Sequence, residues 1–283
     1  MSLLHTVESV PSRVRGLFSY LLTLEGGIAQ GDLVRTLSPQ ILHDNQQCAR
    51  KTIEEAQELE LIEINQDKIV TLHTELQVDE RDPKNRSLAS EMLPSIITRL
   101  AFTKPNNIKN YNLGQAIAWV LTRSLFDKPL DWNQAENELG KGHPLGLNDV
   151  RFGNLAHWIT YLGFAREEGT TTTLVADPTI AVRRGLKTVL SDQSTKDLST
   201  VIQTLANKLS VIDGGNHNVD LLKNNPNLAA VDGQVSPSLS IALLRLKEEG
   251  FIKLEHRSDS PAPKTLRIAD FEETYTSIQR IRF

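Results

Sequence analysis

Three short stretches of this chain switch abruptly from helical to strand periodicity, and that repeated switch limits the possible folds more than any other feature. The junctions are Leu59-Glu60-Leu61-Ile62, Leu162-Gly163-Phe164-Ala165 and Glu249-Gly250-Phe251-Ile252. Ahead of the first, Ala49, Ile53, Ala56 and Leu59 recur at spacings of 4, 3 and 3, which is one face of a helix. After it, Leu61 to Ile64 and Lys68 to Leu72 flank Asn65-Gln66-Asp67, a turn-forming triplet between two strand-like runs. A helix that ends in a hairpin needs more apolar surface to cover it. Upstream, Arg13 to Leu24 reads as a helix with Val14, Leu17, Phe18, Leu21 and Leu22 on one side. Asp32 to Leu37 reads as a short second helix, closed by Ser38-Pro39, and Asp44 is a fitting N-cap for the third. Three helices followed by a β-hairpin is the order of a winged helix-turn-helix.

The same order recurs. Gln115 to Phe126, Asn133 to Leu139 and Asn148 to Leu162 read as three helices, the last with Phe152, Leu155, Ile159 and Leu162 at spacings of 3, 4 and 3. Gly163 to Arg166 then meets Thr171 to Ala176 across Glu167-Glu168-Gly169. At the far end, Thr195 to Leu209, Val219 to Lys223 and Pro237 to Glu249 read as helices, and Gly250 to Glu255 is expected to pair with Lys264 to Ile268. In the second and third junctions a glycine supplies the left-handed helix end. The fold class expected is mainly α with small β-hairpins (α+β), as tandem winged helix-turn-helix modules. The boundaries read as 10–78 for the first module, 79–110 for a linker and connecting helix, and 111–176 for the second module. A connecting helix then takes 177–194, and the third module with a C-terminal tail takes 195–283. Pro94 should kink the first connecting helix; Asp177 and Pro178 should start the second.

Chemistry-bearing patterns are sparse. The chain has no Gly-rich phosphate loop and no His or Cys at metal-ligand spacing. Cys48 is the only cysteine and reads as a small structural residue. Gly214-Gly215-Asn216-His217-Asn218 is site-like in composition, yet a loop between helices explains it more simply. The expectation is a non-enzyme without cofactor or metal. With no internal disulfide, no secretion-like leader and no membrane-length apolar run, a cytoplasmic protein is expected.

The net charge of −4 argues against nucleic-acid binding by overall charge, so any DNA contact must be local. A winged helix places the start of its third helix in the major groove and lets the wing touch phosphates. In the first module this points to Asn45, Gln46, Gln47, Arg50 and Lys51, with Lys68 on the wing. Asn and Gln suit adenine edges, and Arg and Lys suit guanine or phosphate. In the third, the candidates are Ser238, Ser240 and Arg245, with Lys253, Arg257, Lys264 and Arg267 along a basic wing. Arg183, Arg184 and Lys187 read as a solvated helix face. The second module offers Asn148, Arg151, Asn154 and His157, but its wing carries Glu167 and Glu168, which phosphate would repel. Asn154, His157, Glu167 and Glu168 therefore read as a protein-contact surface.

Pro11-Ser12-Arg13-Val14-Arg15-Gly16 leading to Glu25-Gly26-Gly27, the overall size, and an array ending in Ser277-Ile278-Gln279-Arg280-Ile281 resemble the DpdG proteins across the whole chain. These belong to bacterial gene clusters that insert 7-deazaguanine bases into DNA and restrict unmodified DNA. The resemblance implies an accessory subunit in DNA restriction and phage defence, with double-stranded DNA and other proteins of the same assembly as partners and no membrane. It carries over no catalytic residue. A stand-alone transcription regulator and a pure protein–protein adaptor are the rival readings.

Overall fold

The computed structural model describes residues 10–41, 46–102, 111–140, 145–169, 172–257 and 262–283. The chain divides into two compact units, 1–101 and 102–283. It is mixed α/β, rich in helix, with small sheets.

The first unit begins with α1 (Pro11–Leu21), β1 (Ile28–Ala29), α2 (Gln30–Leu37), α3 (Gln47–Glu58), β2 (Ile62–Ile64) and β3 (Ile69–Leu72). Pro11 opens α1 at a position where a missing N–H costs nothing. Its apolar stripe, Val14, Leu17, Phe18 and Leu21, is buried with Leu33, Ile53, Leu59 and Leu61. The antiparallel sheet has the order β1-β3-β2, so the strand that comes last in the chain lies in the middle. Beyond it come α4 (Val78–Arg81), a 3-10 turn at Pro83–Leu88 and α5 (Ala89–Phe102), which contains Pro94. The proposed N-cap Asp44 lies outside the described residues.

The second unit runs through α6 (Tyr111–Val120), α7 (Trp132–Leu139), α8 (Asp149–Leu162), β4 (Ala165–Glu167) and β5 (Leu174–Ala176). Asp131 caps α7 by accepting from the Gln134 amide at 2.8 Å, and Asn148 caps α8 by accepting from the Arg151 amide at 2.9 Å. Leu130, just ahead of α7, bridges to Leu174 on β5. The order Leu130-β5-β4 thus repeats β1-β3-β2.

Next come α9 (Thr179–Val189), β6 (Thr195–Asp197), α10 (Leu198–Lys208), α11 (Asn216–Asn224), β7 (Gln234–Val235) and α12 (Pro237–Glu248). The chain ends with β8 (Ile252–Glu255), β9 (Lys264–Ile268), β10 (Phe271–Tyr275) and β11 (Ser277–Arg280). Here one expectation fails. β8 does not pair with β9. It pairs with β11, which also pairs with β6, giving the order β6-β11-β8. β9 instead pairs with β10 and, in parallel, with β7. The reason is local. Only Ala269-Asp270 separates β9 from β10, with Ala269 at a φ of 50°, so that hairpin closes at once. The free edge of β8 is then taken by the segment expected to be a tail. The helix α9 packs against both α10 and α12, and its Gly185 is seated on Leu205 of α10.

Candidate nucleic-acid interface

The sequence candidates of the first unit fall on two elements. On α3, Gln47 and Arg50 are exposed, and Lys51 is half-buried with its ammonium 2.7 Å from Glu54. Positions three and four apart share a helix face, so Gln47, Arg50 and Lys51 form one polar patch near the start of α3. Gln46 does not join it. Its side-chain amide donates to the Ser38 carbonyl at 3.1 Å, which ties the end of α2 to the start of α3. Asn45 lies outside the described residues. Lys68 is exposed at the β2–β3 turn with a φ of 61°. Asn65 fixes that turn: its carbonyl accepts from the Lys68 amide at 3.1 Å, and its side chain accepts from the Ile69 amide at 2.9 Å.

In the second unit the candidates separate. Asn154 is buried at 3% exposure, so it is no contact residue. The helix α8 is covered nearly all round, and Phe152, Leu155, Ala156, Trp158 and Ile159 are buried with it. His157, Glu167 and Glu168 do reach solvent. His157 Nδ1 stands 4.0 Å from Glu167, and Arg166 stands 3.9 Å from Glu168, so the acidic turn is only loosely neutralised.

The basic wing expected near the C-terminal end is not one surface. Ser238 and Ser240 are buried. Arg245 is ion-paired with Asp177, whose side chain is 11% exposed. Lys253 and Arg257 both turn to Glu255, at 2.5 and 3.4 Å. Lys264 and Arg267 sit on β9, in a different sheet from Lys253. The pairing of β8 with β11 is what takes them apart.

Lys264 and Arg267 line a cleft of about 1130 Å3 with Gln203, Asn218, Asp213 and Ser236. Asp213 accepts from the Ser236 amide at 2.6 Å and from its hydroxyl at 2.5 Å. Burial raises its pKa, while these hydrogen bonds and nearby Lys264 pull it down. With both oxygens held by one serine, this carboxylate is a clamp between loop and helix start more than a free acid or base. The site-like Gly214–Asn218 segment borders the same cleft, through Gly214 and Asn218. Its His217 turns inward. It is 8% exposed, with Nδ1 2.8 Å from the Ser210 hydroxyl, and burial holds its pKa down against the pull of Asp220. The cleft residues come from five separated stretches, of which the glycine-rich stretch and the basic Lys264–Arg267 stretch carried a sequence signal.

Among the described residues, no group of three or more His, Cys, Asp or Glu side chains is placed to hold a metal ion, and no helix is long and apolar enough to cross a membrane. No curated protein and no solved structure matches the chain. The protein family described as DpdG-like does match, and it does so over residues 1–260. A match of that extent takes in the first unit whole and most of the second, and this chain belongs to the DpdG-like family.

Proposed function

We propose that this chain is a non-catalytic winged-helix subunit that contacts both duplex DNA and partner proteins in a 7-deazaguanine DNA modification and restriction assembly. Membership of the DpdG-like family suggests a role in the Dpd 7-deazaguanine modification system. The observation that carries the winged-helix part is the strand order. In β1-β3-β2, in Leu130-β5-β4 and in β6-β11-β8, the last strand of each set lies between the first and the second. Each first strand leads directly into a helix, and each second strand follows the longest helix of its set. In the first set, α3 keeps Gln47 and Arg50 exposed on one face, as a groove-reading third helix requires.

The DNA part rests on the Gln47, Arg50 and Lys51 face of α3 with Lys68 on the adjoining hairpin. Arg50→Ala combined with Lys51→Ala is expected to weaken duplex binding and to flatten its salt dependence, by about one in slope for each phosphate left unbound. Binding equal to the parent at two salt concentrations would remove α3 from the interface. In the same titrations, with magnesium present, the duplex should remain uncut; cleavage by the purified chain would end the non-catalytic reading.

The partner part rests on the exposed Glu167-Glu168 turn, which suits a basic protein surface. Charges at an interface rim act mainly on association rate. Glu167→Lys with Glu168→Lys should slow capture of the other Dpd proteins while leaving fold stability within about 0.5 kcal/mol of the parent by thermal melting. Unchanged capture together with tighter duplex binding would place this turn beside DNA instead.

A further inference from the structure

Phe251, just ahead of β8, and Phe283, just beyond β11, come together beside Arg183 of α9. Phe251 and Phe283 stack with ring centroids 6.0 Å apart and planes inclined by 13°. Arg183 of α9 lies over Phe251 at 4.6 Å, Arg282 lies over the same ring at 5.1 Å, and Arg280 lies over Phe283 at 5.5 Å. Lys187, four residues after Arg183 on α9, is exposed on the same side of the helix. Arg184 is excluded, because its guanidinium turns inward to the Leu162 carbonyl and burial lowers its pKa.

These four cations differ from many other basic residues of the chain in one respect. Arg245, Lys253, Arg257, Arg123 and Arg99 each stand against a carboxylate. Among the described residues, Arg183, Lys187, Arg280 and Arg282 have none within ion-pair distance. Arg280 donates to the Leu190 and Ser191 carbonyls, and Arg282 donates to the Glu249 carbonyl, so backbone fixes them in place without cancelling their charge. Of the nearby acids, Asp192 is held by Ser194 and Lys196 and senses Arg280 only at a distance. A chain with 35 acidic and 31 basic residues could neutralise this face, and none of the described acidic residues does so by an ion pair.

In Arg280 and Arg282 only one terminal nitrogen of each is taken up by backbone carbonyls, and a guanidinium lying over a ring still has its in-plane N–H groups at the edge. That is the fork that fits a phosphate with two parallel hydrogen bonds. The rings are half-buried, with arginines lying over them and each ring stacked against the other, so these ring faces already carry cations where a nucleobase would stack. We propose that the Arg183, Lys187, Arg280 and Arg282 face binds the phosphate backbone of duplex DNA, without reading its sequence. This adds a second DNA-contacting face to the one assigned to α3.

The test is anisotropy of two labelled duplexes of unrelated sequence, titrated with the full chain at several salt concentrations. Lys187→Glu touches no ring and serves as the variant least able to disturb the fold; Arg183→Glu and Arg282→Ala remove stacked cations, with thermal melting as the check on each. Each variant should weaken both duplexes alike, by roughly threefold at moderate salt for each phosphate left unbound, and make the salt slope shallower by about one. Parent-like affinity and slope in Lys187→Glu and in a normally melting Arg183→Glu would overturn the inference. So would intact duplex binding combined with lost binding of a polyglutamate peptide, which would make the face a dock for an acidic protein. If only the Arg50 and Lys51 variant loses duplex binding, this inference fails and the α3 reading stands; if only the variants of this face lose it, the reverse holds.

Discussion

Trp158→Ala should destabilise the protein by about 3–5 kcal/mol, the cost of a large buried ring removed from a close-packed core. Trp158 is wholly buried on α8, edge-on to Tyr161 at 6.1 Å between centroids, and is among the largest fully buried side chains. Phe152 and Phe164 are buried in the same unit, and a helix enclosed on nearly every side has little room to collapse into the space. The paired substitution is more telling. The Trp158 indole N–H is buried with no hydrogen-bond partner among the described residues. Such a group costs about 1–3 kcal/mol in lost hydration. Trp158→Phe removes that unpaired donor along with part of the ring, so the two effects offset and the net loss should stay below about 2 kcal/mol. Urea unfolding of the two variants checks this. If Trp158→Phe costs as much as Trp158→Ala, the indole nitrogen has a partner, and the account of α8 as a dry helix is wrong.

Much of the fold was legible because it depends on periods that one stretch of chain reveals by itself. The 4, 3, 3 spacing through Leu59 and the alternation on both sides of Asn65-Gln66-Asp67 became α3, β2 and β3. The junctions were legible as positions more than as residues. Gly163 and Gly250 take φ values of 79° and 72°, and Glu60 takes 59° at the matching place in the first set, where no glycine marks it. Strands of two residues, such as Ile28–Ala29, and the single bridge at Leu130 are too short to show any period. The partner of β8 was misread because pattern identifies strands without pairing them. The nearest strand in sequence is the natural guess, and here it had already folded onto β10.

The candidate site divides along the same line. Arg50 and Lys68 are exposed as a polar face and a turn tip should be. Asn154 was misplaced because the reading assumed one wet side on α8, and the helix has almost none. Arg245 was read as free because Asp177, its partner, is distant in sequence. The same blindness hid the arginine–phenylalanine face. Arg183 alone is an ordinary surface arginine; only the fold sets it on Phe251 beside Arg280 and Arg282.

One substitution, Gly→Ala, should change stability in opposite directions at two places in the second unit. Gly215 has φ −77° and ψ 155°, angles that any residue can adopt, so backbone freedom is not the reason for glycine there. The reason is approach. A Cβ on Gly215 would stand 2.4 Å from the Ser210 carbonyl oxygen and 2.6 Å from its Cα. Those atoms are backbone and cannot swing aside. The same carbonyl accepts from the amides of His217 and Asn218, at 2.9 and 3.3 Å, and so seats the start of α11. Moving it away to admit a methyl group would loosen both bonds and the His217 contact to the Ser210 hydroxyl. Gly215→Ala should therefore cost about 3 kcal/mol, the upper end for an overpacked site. For a unit of this size that corresponds to a fall of about 6–12 °C in melting temperature. Gly153 lies inside α8 with nothing within 4 Å of where a Cβ would be. There the methyl group only restricts the unfolded chain, and Gly153→Ala should stabilise by about 0.5–1 kcal/mol. Thermal melts of the two variants beside the parent decide the matter. A Gly215→Ala protein that melts with the parent would mean that Ser210 and the α11 start are not in contact, and the seating of His217 would have to be abandoned with it.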